Sequence, residues 1–135
     1  MSTITTTGLG ELTKTLEEFS AELPDIEKEM LEAGAEVVVE AWQKGIEEAG
    51  HVDTGQMRDS VKATINRSST MAEIYPKGKD KKGVRNAEKA FMLHYGKTGE
   101  SGDRFVDKIE DKAEEPAAEA MAEKLNEKLI EKGLI

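Results

Sequence analysis

The stretch PDIEKEMLEAGAEVVVEAWQKGIEE, residues 24–48, carries apolar residues at helical spacing over more than one face. At about 100° per residue, Ile26, Met30, Ala33, Val37 and Ala41 form one apolar row, and Leu31, Ala35, Val38, Trp42 and Ile46 form a second beside it. A helix of that width, about 37 Å long, either lies between two layers of its own domain or gives one face to another chain. The second row makes Leu31, Val38 and Trp42 candidate interface residues. Upstream, Leu9, Leu12, Leu16, Phe19 and Leu23 outline a shorter amphipathic helix. Pro24 lacks an amide donor and suits a first helical turn, so the pattern predicts two helices separated there.

Gly50 suits the end of the long helix, and HVDTGQMRDS, residues 51–60, reads as a corner. Asp53 and Thr54 offer side-chain oxygens to the free amides of a short helical turn, and Gly55 permits a positive φ. Met57 is placed to anchor this corner in the core, while Arg58 and Ser60 are polar candidates for holding a neighbour. Val61, Ala63 and Ile65 then alternate with polar residues, NRSS at 66–69 supplies a turn, and Ala72 and Ile74 alternate up to Pro76. That period predicts an antiparallel hairpin with one apolar face, too small to stand alone in water. PKGKDKKGVR, residues 76–85, gathers Lys77, Lys79, Lys81, Lys82 and Arg85 around two glycines. It reads as a mobile, solvated loop tip and as the one candidate basic surface. Val84, Ala87, Phe91 and His94 or Tyr95 return to helical spacing, with Gly96 placed to stop that helix.

From Asp103 the chain reads in fours, DRFV DKIE DKAE EPAA EAMA EKLN EKLI EKGL, with an acid opening each group. Phe105, Ile109, Ala113, Ala117, Met121, Leu125 and Leu129 thus recur at every fourth position. Four exceeds 3.6, so the seam drifts about 40° per repeat, and Pro116 divides it into halves that each fit one apolar face. The expectation is a C-terminal helix broken near Pro116. The acids form one row, and Arg104, Lys108, Lys112, Lys124, Lys128 and Lys132 form a second that largely offsets it. The architecture expected is α+β: long N-terminal helices and the C-terminal helix packed on a small antiparallel sheet. It forms one domain, with residues 1–115 as the body and 116–135 as a helical extension on that body or on a neighbour.

A chain of 135 residues suffices for one core, and 35% charged with 4% aromatic residues suits helices better than a sandwich. There is no cysteine, no apolar run long enough for a bilayer, and no secretory pattern in the Thr-rich Met1–Gly10 start, which places synthesis in the cytosol. A net charge of −9 opposes nonspecific binding of a phosphate backbone. Asp53-Thr54-Gly55 is the tripeptide of aspartic proteases, but those need a dry strand and two carboxylates about 3 Å apart. Here Arg58 and Asp59 follow almost at once. His51, Asp53, His94 and Asp103 have the side chains of a metal site without its spacing. No catalytic, cofactor-binding or metal-binding residues are therefore assigned, and no enzyme is expected.

DTGQMRDSV, then AFMLHYGKTG, then DRFVDKIEDKAEE together resemble the tail-completion or head-tail connector (neck) family of long-tailed bacteriophages, the HK ninety-seven-like gene-product-ten group. Thr54, Gly55, Met57, Arg58, Ser60 and Val61 match its first block, Tyr95, Gly96 and Thr98 part of its second, and Phe105 and Val106 its third. His94 stands where an acid is usual, Lys97 separates Gly96 from Thr98, and Arg104 replaces a proline. The likeness spans about residues 8–115. It implies a small α+β structural protein, without catalysis or cofactor, that forms a homo-oligomeric, hexamer-class ring. It also implies neck and tail proteins as partners, and no membrane or sequence-specific nucleic-acid contact. DNA would pass through the ring, and the protein would assemble in the host cytoplasm before entering the virion. Tail terminator is a closely related role. From the residues alone, the competing class is a cytosolic helical binding module, adaptor-like or antitoxin-like, that holds its partner with the Trp42 face.

Overall fold

The computed structural model describes the backbone of residues 6–66, 68 and 71–135, and the side chains of residues 14, 17, 18, 20–66, 68 and 71–135. The Leu9, Leu12, Leu16 and Phe19 stripe lies outside the described side chains, and Arg67 and Ser69 of the expected turn lie outside the described residues. The elements run α1 (Thr6–Glu48), α2 (Gln56–Asp59), β1 (Val61–Ile65), β2 (Ala72–Pro76), α3 (Asn86–Tyr95), β3 (Gly96–Lys97), β4 (Glu100–Ser101) and α4 (Phe105–Glu131). The architecture is α+β, two long helices with two separate two-stranded antiparallel sheets, β1–β2 and β3–β4.

The long helices lie side by side and antiparallel. Gly45 of α1 meets Ile109, Gly34 meets Met121, Glu29 pairs with Lys128 at 2.9 Å and Glu22 with Lys132 at 3.4 Å. Glycine sets how close they come: a Cβ on Gly45 would stand 2.2 Å from Ile109 Cγ1, inside any real contact distance. The four-residue seam of α4 supplies the rest of the contact, with Phe105, Ile109 and Ala113 buried and Ala117, Met121, Leu125 and Leu129 half-buried. Residues beyond Pro116 therefore rest on α1 of their own chain. At the other end Trp42, Ile46, Met57, Val61, Ala90, Phe105 and Ile109 form one buried cluster, joining α1, the corner, β1, α3 and α4.

Three expectations are corrected. First, neither proline divides its helix: α1 runs through Pro24 and α4 through Pro116. Each proline orphans the carbonyl four residues back, at Ser20 and Lys112. All four residues are exposed, so water serves those carbonyls. Interhelix contacts on both sides of each proline then hold the helix in line, at Glu22 and Glu29 around Pro24 and at Ile109 and Met121 around Pro116. Second, Trp42 does not face a partner. It is 8% exposed and meets Phe105 edge-on at 6.2 Å, because α4 covers the second apolar row; Val38 packs against the same cluster and Leu31 is half-buried. Third, the hairpin has the expected strands, paired Val61 to Pro76 through Ile65 to Ala72, but its apolar face is only partly covered. Val61 is buried and Ile74 packs on the core, while Ala63 is exposed. Among the described residues, no helix is long and apolar enough to cross a membrane.

Gly45→Ala sets a methyl 2.2 Å from Cγ1 of Ile109, which is 1% exposed. It should lower the unfolding free energy by about 1–3 kcal/mol, although alanine favours an isolated helix by about 1 kcal/mol. Gly34→Ala meets only the flexible, half-buried Met121 and should be the milder change. Urea titration decides, and a Gly45→Ala protein as stable as the parent contradicts the close approach.

Candidate functional site

The corner after α1 is built as its residue types require. Gly55 takes φ 86°, a left-handed conformation that disfavours any side chain, and a Cβ there would crowd Arg58 Nη2 at 2.7 Å. Gln56 N–H donates to Thr54 Oγ1 (3.3 Å), and Ser60 Oγ–H donates to the Met57 carbonyl (2.6 Å). Met57 is 7% exposed and sits in the core cluster. Arg58 bridges Glu47 of α1 (2.9 Å) and Asp59 (3.0 Å). Asp59 first, and then Glu47, hold its guanidinium above its ordinary pKa. Arg58 and Ser60 are thus engaged within the chain. Asp53 is exposed, and among the described residues no group of three potential metal ligands occurs.

The histidines serve the start of α4. Phe105 N–H donates to Asp103 Oδ1 (3.1 Å), and Val106 N–H donates to His94 Nδ1 (3.2 Å), so two of the helix's free amides are capped. His51 Nε2 holds the other Asp103 oxygen at 2.6 Å. Phe105, 1% exposed, lies edge-on to His51 (4.9 Å) and His94 (6.2 Å) as well as to Trp42. Tyr95, matched to the family's core corner, is instead 54% exposed. The inward face of α3 belongs to Asn86, Ala90 and His94, and the position under the helix goes to the histidine that α4 needs as an acceptor. Tyr95 stacks on Phe91 (4.7 Å) and lies under the Arg104 guanidinium (5.1 Å), leaving Phe91, Tyr95 and Tyr75 as an exposed apolar group around one shallow cavity. Gly96 ends α3 beside β4.

The basic segment is an ordered loop, not an open tip. Asp80 Oδ1 accepts from the amides of Lys82 and Val84 (2.9 Å each), its other oxygen meets Lys89 Nζ at 2.6 Å, and Lys79 bridges Arg85 through the backbone. Lys89 first, then the Val84 amide, holds the Asp80 carboxyl below its ordinary pKa. Asn86, fully buried, donates Nδ2–H to the Lys77 carbonyl (2.8 Å). Lys77 reaches the Thr64 hydroxyl and covers the Tyr75 ring at 4.4 Å. Lys62, Lys79, Lys81 and Lys82 are exposed, and among the described residues they have no carboxylate within 4.0 Å. Asp80 and Asn86 were missed in the sequence, where Asp-x-x-Gly ahead of a helix was the available turn signal.

Residues 10–98 match the HK97-gp10-like family, described as "Bacteriophage HK97-gp10, putative tail-component". The match spans α1 to α3 and stops short of α4. No curated protein and no solved structure matches the chain.

His94→Leu keeps bulk but cannot accept from Val106, and should cost about 1–3 kcal/mol. His94→Asn, which retains an acceptor, should recover part of it, and a Leu variant as stable as the parent in denaturant removes His94 from the cap. Asp80→Ala should accelerate amide exchange at Lys82 and Val84. Since the folded Asp80 pKa is depressed, its contribution is present above the ordinary carboxyl range and lost as pH falls through the lowered value. The protection factors at those two amides, taken relative to intrinsic exchange at each pH, should therefore fall in acid in the parent and not in Asp80→Ala.

Proposed function

Because the chain belongs to the HK97-gp10-like family of bacteriophage tail components, we propose that it is a ring-forming head-tail joining or tail-completion protein. A tail component has other tail proteins as neighbours and the virion as its destination. The ring, its assembly in the host cytoplasm and the passage of DNA through it belong to the proposal, and the role is mechanical, without catalysis or cofactor. The related role of tail terminator uses the same ring. The adaptor-like alternative relied on Trp42 as a docking face, which is buried in the chain's own core.

The observation that supports the ring is an unfinished strand. Lys77 N–H donates to Ser60 O and Asn66 N–H to Met71 O, so bonded pairs fall on alternate residues. The amides of Val61, Ala63 and Ile65 then point away from β2. Among the described residues no strand lies along that edge, and Lys62, Ala63 and Thr64 are exposed in succession. A two-stranded ribbon with an open edge is marginal alone and is a template for a strand of another copy.

Ala63→Pro tests this, because it removes an outward amide and leaves the β1–β2 ladder intact. Sedimentation velocity of the parent should show a hexamer-class species, and Ala63→Pro should keep the circular dichroism spectrum but sediment as smaller species. An unchanged oligomer in the variant, or a parent that stays monomeric at high concentration, rejects the reading.

A further inference from the structure

Cations and anions are segregated along this chain. On α1 no cation occurs between Lys28 and Lys44, and on α4 none occurs between Lys112 and Lys124. These two stretches lie against each other, since Gly34 meets Met121 and Ala117. The lysine row of α4 lapses where Pro116 and Ala120 take its places. The result is two rows of exposed glutamates, seven in all: Glu32, Glu36 and Glu40 on α1, and a belt of Glu114, Glu115, Glu119 and Glu123 on α4. Because Gly34 and Ala117 meet at the helix contact, residues two positions from them, Glu32 and Glu36 on α1 and Glu115 and Glu119 on α4, lie on opposite outer sides of the pair. Among the described residues none of the seven has a cation within 4.0 Å, whereas the helix ends are laced by Lys112–Glu48, Lys128–Glu29 and Lys132–Glu22. Glutamates four apart repel each other, and the α4 row is about 13 Å long, little more than one Debye length at 0.1 M salt.

The opposite surface lies at the corner. A groove of about 760 Å³ runs between α2 and the start of the basic loop, lined by Thr54, Ser60, Lys62, Lys77 and Lys81. Its one carboxylate, Asp59, is already held by Arg58 at 3.0 Å. Lys79 and Lys82 extend the positive surface along the same loop. Groove and belt occupy different parts of the protomer: one is at the turn beyond the end of α1, the other midway along the helix pair.

We propose that the lysine groove of one copy receives the glutamate belt of the next, so that protomers join head to tail through opposite charges. The proposal rests on the ring reading and names the contact that orders it. A contact between two different patches of the same chain propagates in one direction and closes into a ring when the rotation allows. A second copy is the favoured occupant because every protomer carries both surfaces in equal number. A phosphate backbone would meet a protein of net charge −9. Such a contact steers assembly and sets which neighbour fits.

The test uses the full chain, with mass photometry and sedimentation as readouts. One variant reverses the groove (Lys62→Glu, Lys79→Glu, Lys81→Glu, Lys82→Glu), a second reverses the belt (Glu115→Lys, Glu119→Lys, Glu123→Lys), and a third carries both sets. All these positions are exposed, and circular dichroism checks each fold. Each single reversal should weaken self-association at least about tenfold, the combined variant should recover it, and raising salt from about 0.05 to 0.5 M should weaken the parent but not a variant already lacking the contact. A parent that assembles while the groove reversal leaves association unchanged overturns this contact and leaves the ring standing. A parent that is monomeric at every salt overturns both. A groove reversal that assembles normally but loses binding of a labelled DNA duplex makes the groove a nucleic-acid surface and also overturns the proposal.

Discussion

Phe105 sits at the start of α4, 1% exposed, with Trp42, His51 and His94 arranged around it. That one side chain fixes where α4 begins and which face of α1 it lies on. The capping groups beside it, Asp103 and His94, fix its direction by satisfying the first free amides of the helix. From there the four-residue seam runs down α1, and Gly45 lets the two backbones close to a distance that a side chain would forbid. The corner at Gly55 returns the chain to the same cluster through Met57 and Val61. One buried assembly therefore positions the hairpin, the lysine loop and the helix pair relative to each other.

Much of this was legible in the residues. Alternation at 61–65 and 72–76 gave both strands, Gly96 gave the end of α3, and the spacing of Phe105, Ile109 and Ala113 gave the buried start of α4. The prolines were misleading because a local rule on the missing amide competes with long-range packing, and the partner helix is about 90 residues away in sequence at Gly34 and Met121. Trp42 was misplaced for the same reason: a wide apolar arc has no label saying whether its cover comes from the same chain. Tyr95 and His94 are adjacent, and only the acceptor need of Val106 decides which one turns inward. In the candidate site, Arg58 was read as a polar candidate for holding a neighbour, whereas its observed bond ties the corner to α1 through Glu47.

What the core leaves uncovered is the functional half of the account. A self-sufficient monomer usually covers its strand edges and keeps large apolar side chains from gathering on one surface. Among the described residues, β1 is open along its edge, Phe91 and Tyr95 stack in solvent, and seven glutamates face outward without a counter-charge. Each is unfavourable in an isolated protomer, and the proposed ring would cover them with a sister copy. The match to the family covers the corner, the hairpin and the loop and ends at residue 98, before α4 begins.

Residue-resolved amide exchange on monomeric and assembled protein reaches the central claim most directly. Ala63 and Ile65 offer amides with no acceptor among the described residues, flanked by Lys62 and Thr64 amides already bonded to β2. An open edge requires fast exchange at Ala63 and Ile65 in the monomer and strong protection of the same two in the assembly. Equal exchange in both states, or protection already complete in the monomer, would contradict it.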